Sequence, residues 1–238
     1  MKNRTATSLA RSRAVIGIGL LGLALAAAGA PAGAQTAQDT GSQRTPLMDR
    51  QREIALALSA CPQSAAGGAA VYVLEKDGYL RVRESRNGFT AIVQHSLPTA
   101  QEPRCMDAEG TRTHLPRILK TAELRAQGKS REEIRRLLAE DLARGVLHAP
   151  TRPGVDYMLS TENVVTVDEE KGIVQPFPPH VMFYAPYLTN ADFGSDGKPS
   201  SPIFVVAEGT PYALVIVPVG AHRTPGHAPA EKASGGEQ

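Results

Sequence analysis

The hydrophobic period changes twice along this chain, and that alternation constrains the fold more than any single motif. Three short β-type runs come first: "AVYVLE" (Ala70–Glu75), "YLRVRE" (Tyr79–Glu84) and "FTAIVQH" (Phe89–His95). From about Leu115 to Gly145 the apolar residues recur every 3.6 positions, as on a helix face. Strand-like runs then return: "DYMLS", "NVVTV", "HVMFYA", "IFVVAEG" and "YALVIVPV". This order predicts an α+β domain with a mostly antiparallel sheet. Its parts are a three-strand N-terminal meander, an inserted antiparallel helical hairpin and a C-terminal β-hairpin.

Local signals support each part. "KDG" and "SRNG" separate the first three strands, and Asp-Gly and Asn-Gly favour hairpins because they tolerate positive φ. "LPRILKTAELRAQG" places Leu115, Ile118, Leu119 and Ala122 on one stripe and stops at Gly128. In "SREEIRRLLAEDLARG", Ser130 and Glu133 have capping-box spacing, and Ile134, Leu137, Leu138 and Leu142 form the apolar face. The short link between the two segments makes them an antiparallel pair that packs on the sheet. An earlier helix is expected with Thr45 as N-cap, Pro46 in its first turn, and Leu47, Ile54, Leu58 and Cys61 on its buried face. "IFVVAEGTPYALVIVPV" reads as one hairpin turning near Gly209, its strands apolar enough for the middle of the core.

The two ends are of different composition. Lys2, Arg4, Arg11 and Arg13 precede the apolar run "AVIGIGLLGLALAAA", and "AGA" closes the segment before Gln35. This is the pattern of a bacterial secretory signal cut after Ala34, too short in its apolar core for a membrane span. Residues 35–44 read as a disordered linker, 45–220 as a single α+β domain and 221–238 as a disordered tail. Periplasm or medium is the expected location. "GIGLLG" within the signal matches the dinucleotide fingerprint by letter only, since strand, helix and acidic residue are missing around it.

Losing the signal removes four of 26 basic residues and leaves 22 against 24 acidic ones, a formal charge of −2. The remaining charges alternate in sign along the chain, so nucleic-acid binding is not expected. Cys61 and Cys105 are the two cysteines. In an oxidising compartment an even count favours a Cys61–Cys105 bridge, while a reactive thiol pair would lack C-x-x-C spacing.

"NGFT" (Asn87–Thr90), followed after a Pro-containing loop by "PRCMD" (Pro103–Asp107), resembles a group of exported bacterial proteins with no assigned activity. Those proteins share an NG-aromatic-T stretch and then P-x-C-M/L-D. The resemblance covers about Ala69 to Gly110. Where they often carry a Cys after the Thr, this chain has Ala91. The resemblance therefore leaves Cys61 as the available partner of Cys105. It implies export and a β-rich start, and transfers no site.

No metalloprotease, P-loop, nucleophile-elbow or β-lactamase motif is present, and no metal or cofactor is expected. Function is therefore sought where aromatic and polar residues concentrate. "FPPHVMFYAPYLTNADFG" (Phe177–Gly194) holds five of the eleven Phe and Tyr residues. Strand alternation separates His180, Met182 and Tyr184 from Val181, Phe183 and Ala185, and the uniformly apolar second set is expected to face the core. His180, Tyr184, Tyr187, Asn190 and Asp192 then form the candidate binding site, or else serve architecture alone, with the ring and hydroxyls satisfying backbone groups and the loop a plain turn. These residues point to an exported, non-enzymatic domain that binds a small molecule or an envelope component. A small hydrolase using His180 with a carboxylate is the alternative.

Overall fold

The helical hairpin forms where the period predicts it, in a computed structural model that describes residues 44–219. The signal (1–34), all but the last residue of the linker (35–44) and the tail (221–238) lie outside the described residues. Four α-helices are described: α1 (Arg50–Ser59), α2 (Gln63–Ala66), α3 (Ala108–Ala126) and α4 (Arg131–Ala143). The strands are β1 (Ala70–Glu75), β2 (Gly78–Arg83), β3 (Thr90–Gln94), β4 (Glu102–Met106), β5 (Val155–Met158), β6 (Val164–Asp168), β7 (Ile173–Pro176), β8 (His180–Tyr184), β9 (Phe204–Val206) and β10 (Leu214–Pro218). Eight of them make one sheet in the order β2-β1-β3-β4-β5-β8-β10-β9, and β6 pairs with β7 beside it. The class is α+β, with β1–β3 the parallel pairing in an otherwise antiparallel sheet.

The expected meander is corrected by that parallel pairing. β1 and β2 form the hairpin that Asp77-Gly78 predicts, but β3 pairs with β1 at Ala70↔Thr90 and Val71↔Ala91, not with β2. The Asn-Gly loop does not close a tight turn because its polar groups bond elsewhere. Asn87 donates from Nδ2 to Ala65 O at 2.8 Å, and the Arg86 N–H donates to Gly68 O at 2.7 Å. These bonds carry the chain across the N-terminal end of β1 and deliver β3 to its other side.

β4 is a central, fully buried strand, paired with β3 and β5, that the sequence does not announce. Pro103 within it offers no N–H and argues against strand. In α1 the start is also corrected: Asp49, not Thr45, is the N-cap, accepting from Arg52 N at 3.0 Å. Its buried stripe is Glu53, Leu56, Ala57 and Ala60, while Leu47 is exposed. Glu53 tolerates burial because its carboxylate accepts from Leu74 N at 2.8 Å.

Three layers result in the first half of the sheet. α1 covers one face of β1, β3 and β4, where Leu56, Ala57, Val71, Ala91 and Val93 pack around the Cys61–Cys105 bridge. α3 covers the opposite face through Leu115 and Ile118 on Ile92 and Met106. α4 packs on α3 along a seam of Leu124, Ile134, Leu138 and Leu147. Each buried Leu or Ile in these clusters contributes roughly 1.5–3 kcal/mol relative to exposure. α3 begins at Ala108, seven residues before the apolar stripe, because Asp107 caps it by accepting from Gly110 N at 2.9 Å. α4 has the predicted Ser130–Glu133 capping box. No described helix is long and apolar enough to cross a membrane.

Candidate functional site

β8 is an interior strand, paired with β5 and β10, so both its faces are fixed by neighbours. The two faces are largely reversed from the sequence expectation, although Ala185 of the second set is buried with Val205, Ala213 and Val215. His180, Met182 and Tyr184 point into the core with Met158, Phe204, Leu214 and Ile216. Phe183 is 47% exposed on the face away from that cluster. The polar members are buried because each finds a local acceptor or stacking partner. His180 is 2% exposed, and its Nδ1 lies 2.9 Å from Pro178 O. Phe177 sits edge-on to its ring at 4.9 Å. Burial pushes the His180 pKa down, toward the neutral ring. Tyr184 donates to Val155 O at 3.2 Å and stacks on His114 at 4.8 Å.

The loop beyond β8 uses its polar groups internally. Asn190 clasps the edge strand: Nδ2 donates to Val205 O at 3.0 Å and Oδ1 accepts from Val205 N at 2.7 Å. Asp192 accepts from the N–H and hydroxyl of Thr189 at 2.7 and 2.8 Å. Tyr187 is 64% exposed and has φ 66°, a left-handed backbone held by its N–H on Thr210 O at 2.8 Å. The structure therefore brings His180 and Tyr184 onto one buried face and leaves Tyr187, Asn190 and Asp192 in the loop. It joins the five in no common opening.

An open site lies elsewhere. A cavity of about 500 Å³ is lined by α3, α4, the β1–β2 hairpin, the ends of β3 and β4, and β6. α3 presents Arg117, Ile118, Thr121, Ala122 and Arg125 to it, and α4 presents Arg131, Ile134, Arg135 and Leu138. Positions 117, 121 and 125 recur every four residues, so they form one helix row, and 131 and 135 form a second. None of the five β8 and loop candidates lines this cavity.

Its floor is a fixed polar network. Glu102, buried at the start of β4, accepts from Ser96 Oγ at 2.6 Å and from Thr166 N at 3.3 Å. Ser96 Oγ also lies 2.7 Å from Thr166 Oγ1. Burial pushes the Glu102 pKa up, the opposite direction from the hydrogen bonds that favour its anion. Arg125 donates to His95 O at 2.7 Å and Ser96 O at 2.9 Å, which locks the end of β3 against α3. His95 is held neutral by burial, its pKa pushed down to about 4.

Behind the floor sits a buried ion pair. Arg104 on β4 donates from Nε to Asp156 Oδ2 at 2.7 Å and from Nη1 to Gln94 Oε1 at 2.6 Å, and Gln94 lines the cavity. Asp156 Oδ1 and His114 Nε2 are buried without hydrogen-bond partners among the described residues. Tyr184 fills a slot between Gly110 and Gly154: a Cβ on Gly110 would stand 1.9 Å from the Tyr184 hydroxyl, and one on Gly154 2.7 Å from its ring.

Sequence reasoning missed the cavity because its arginines belong to the charged stripe of an amphipathic pattern. The four-residue spacing of Arg117, Thr121 and Arg125 is the signal that was available. Among the described residues, no three His, Cys, Asp or Glu side chains converge as a metal site. Comparison with family models, curated proteins and solved structures found no match for this chain.

Proposed function

We propose that the chain is an exported bacterial envelope protein that acts as a non-enzymatic small-ligand-binding domain, with the cavity between the helical hairpin and the sheet as its binding site. The observation that carries this reading is the cavity itself. About 500 Å³ falls within the range of small-molecule sites, and its lining combines apolar side chains with a few fixed polar groups. Because Glu102, Ser96, Thr166 and Arg125 are already tied to the sheet, the site is preformed, and ordering it costs a ligand little. Export is supported by the basic and apolar leader and by the Cys61–Cys105 bridge, a bond that persists in oxidising compartments.

Hydrolysis by His180 with a carboxylate gains no support from the geometry. The His180 ring is buried and bonded to a backbone carbonyl, and Asp192 is engaged by Thr189. Asp107, the residue that follows β4, caps α3 and accepts from Val155 N at 2.9 Å.

A thermal-shift screen of the exported chain against sugars, peptidoglycan fragments, haem, metals and organic acids tests the binding reading. A ligand at a hundred times its Kd stabilises by about 2.7 kcal/mol. For a domain of this size that is roughly 5–10 °C in Tm. The shift should vanish in Ala122→Trp, which fills the cavity from α3, while that variant's ligand-free Tm stays near wild type. A ligand shift that survives Ala122→Trp, or no shift across the screen, overturns the assignment of this cavity.

A further inference from the structure

We infer that the ligand of this cavity is a small organic anion, its carboxylate or phosphate head held by Arg117 and Arg135 and its apolar body lying along Ile118 and Leu74. This deepens the binding reading above and rests on it.

The charges facing the cavity are unequal. Arg44, Lys76, Arg117, Arg125, Arg131 and Arg135 line it, against Glu75, Glu102 and Glu169. Two of the three acids are committed. Glu75 pairs with Arg50 outside, and Glu102 is buried under Ser96 and Thr166. Glu169 alone remains as an exposed carboxylate, so the cations outnumber the available anions severalfold.

The arginines also differ in how far their donors are used. Arg125 spends two N–H groups on the carbonyls of His95 and Ser96, and Arg131 bonds to the carbonyl of Glu169. Carbonyls accept hydrogen bonds without neutralising charge. Arg117 has no hydrogen-bond or ion-pair acceptor among the described residues; its guanidinium carbon lies 5.3 Å from the Tyr212 ring centroid. Burial pushes its pKa down, since the cation is removed from water. Five donors in a fixed planar fork, desolvated and without an acceptor, match the bidentate geometry of a carboxylate or phosphate. Arg135, one turn along α4 from Arg131, is exposed and equally without an acceptor among the described residues.

The apolar lining selects among anions. Leu74, Ile118, Ala122, Ile134 and Leu138 contribute apolar atoms to the lining, and a bare inorganic anion would leave them without contact. An anion with a hydrocarbon body satisfies both halves of the site.

Isothermal titration of the full exported chain with octanoate, octyl phosphate, inorganic phosphate and neutral octanamide tests this inference. At least one of the two amphipathic anions should bind at least tenfold more tightly than octanamide and than inorganic phosphate. Arg117→Gln should lower that affinity at least tenfold, with Arg117→Lys between the two. Arg136→Gln, on the outer face of α4 where Arg136 pairs with Glu140, should leave it unchanged. The ligand-free Tm of Arg117→Gln should stay near that of wild type, because only the contact with the Tyr212 ring is lost; a large fall in Tm would overturn the description of Arg117 as lacking a hydrogen-bond acceptor. If octanamide binds as tightly as octanoate and Ala122→Trp abolishes both, the anion inference fails while the cavity remains a binding site. Inorganic phosphate binding as tightly as octyl phosphate overturns the apolar half. If the anions fail and another compound of the screen binds in a way that Ala122→Trp blocks, only the anion inference falls. If nothing binds, both readings fall.

Discussion

Replacing one member of the Arg104–Asp156 pair should cost this protein a large part of its stability, and replacing both should restore most of it. The side chains are 8% and 0% exposed, so neither charge can turn to water once its partner is gone. Arg104 directs two N–H groups at Asp156 Oδ2 and a third at Gln94. Asp156→Val therefore strands a buried guanidinium with one neutral acceptor, and Arg104→Met strands a buried carboxylate. Breaking such a pair from one side costs about 3–5 kcal/mol. In a domain of this size that corresponds to roughly 6–20 °C in Tm. The double variant Arg104→Met/Asp156→Val removes both desolvation costs, including that of Asp156 Oδ1, which has no partner even in the native pair. Its stability should lie within about 1–2 kcal/mol of wild type, or above it. Urea unfolding followed by circular dichroism on all four proteins gives the coupling energy directly. Singles that lose less than about 1 kcal/mol, or a double that loses the sum of the singles, would refute the view that this pair is a closed unit.

Reduction of the Cys61–Cys105 bridge, which spans a sequence separation of 44, should lower stability by about 4 kcal/mol, or roughly 8–16 °C, in calorimetry with and without reductant. Gly110→Ala places a Cβ against the Tyr184 hydroxyl and should destabilise by at least about 1–3 kcal/mol. Tyr184→Phe should recover part of that loss, and an unchanged Tm in Gly110→Ala would sink the slot description. Burial pushes the Glu53 pKa up to about 7, so the folded protein holds that proton more tightly than the unfolded chain. Its stabilising contribution is complete below the unfolded carboxyl range and is lost as pH rises toward and through 7. Tm measured at pH 5 and pH 8 should show Glu53→Gln gaining on wild type at the higher pH, by an amount of order 1–3 kcal/mol.

What the sequence made legible were features decided locally. α4 is one: Ser130 and Glu133 cap it and its apolar spacing is regular, so tertiary contacts need only accept it. The β9–β10 hairpin also follows from its two apolar runs and turn, although β9 lies at the sheet edge instead of the middle of the core. The Asn87-Gly88 turn chemistry was read correctly and the strand partner was not, because acceptors at Ala65 and Gly68 lie more than fifteen residues away. β4 stayed hidden behind Pro103. For β8 the period of two correctly divided the residues but could not say which face is covered. That depends on how far α1 extends over the sheet, and α1 packs mainly on β1, β3 and β4. Hence Phe183 is exposed and His180 buried. The candidate residues His180, Tyr184, Asn190 and Asp192 carry real hydrogen-bonding demands, and the fold meets those demands internally. The cavity arginines were illegible for the converse reason: a charged helix stripe looks the same facing water as facing a pocket.

The strand order also sets a sequence of assembly. β2, β1, β3 and β4 occupy one side of the sheet and all precede α3 in the chain, so they and α1 are available to pair before β5 exists. Cys105 lies in the last of these strands, and the bridge to Cys61 can therefore close within that early half. Until β5 arrives, β4 is a bare edge, and even afterwards β5 pairs with it only at Cys105 and Met106. An open edge of buried residues invites pairing between molecules. Pro103, which lacks a donor, interrupts the ladder that such an association would need. The residue that hides β4 from sequence reading thus also removes a donor from the edge that β4 presents until β5 pairs with it.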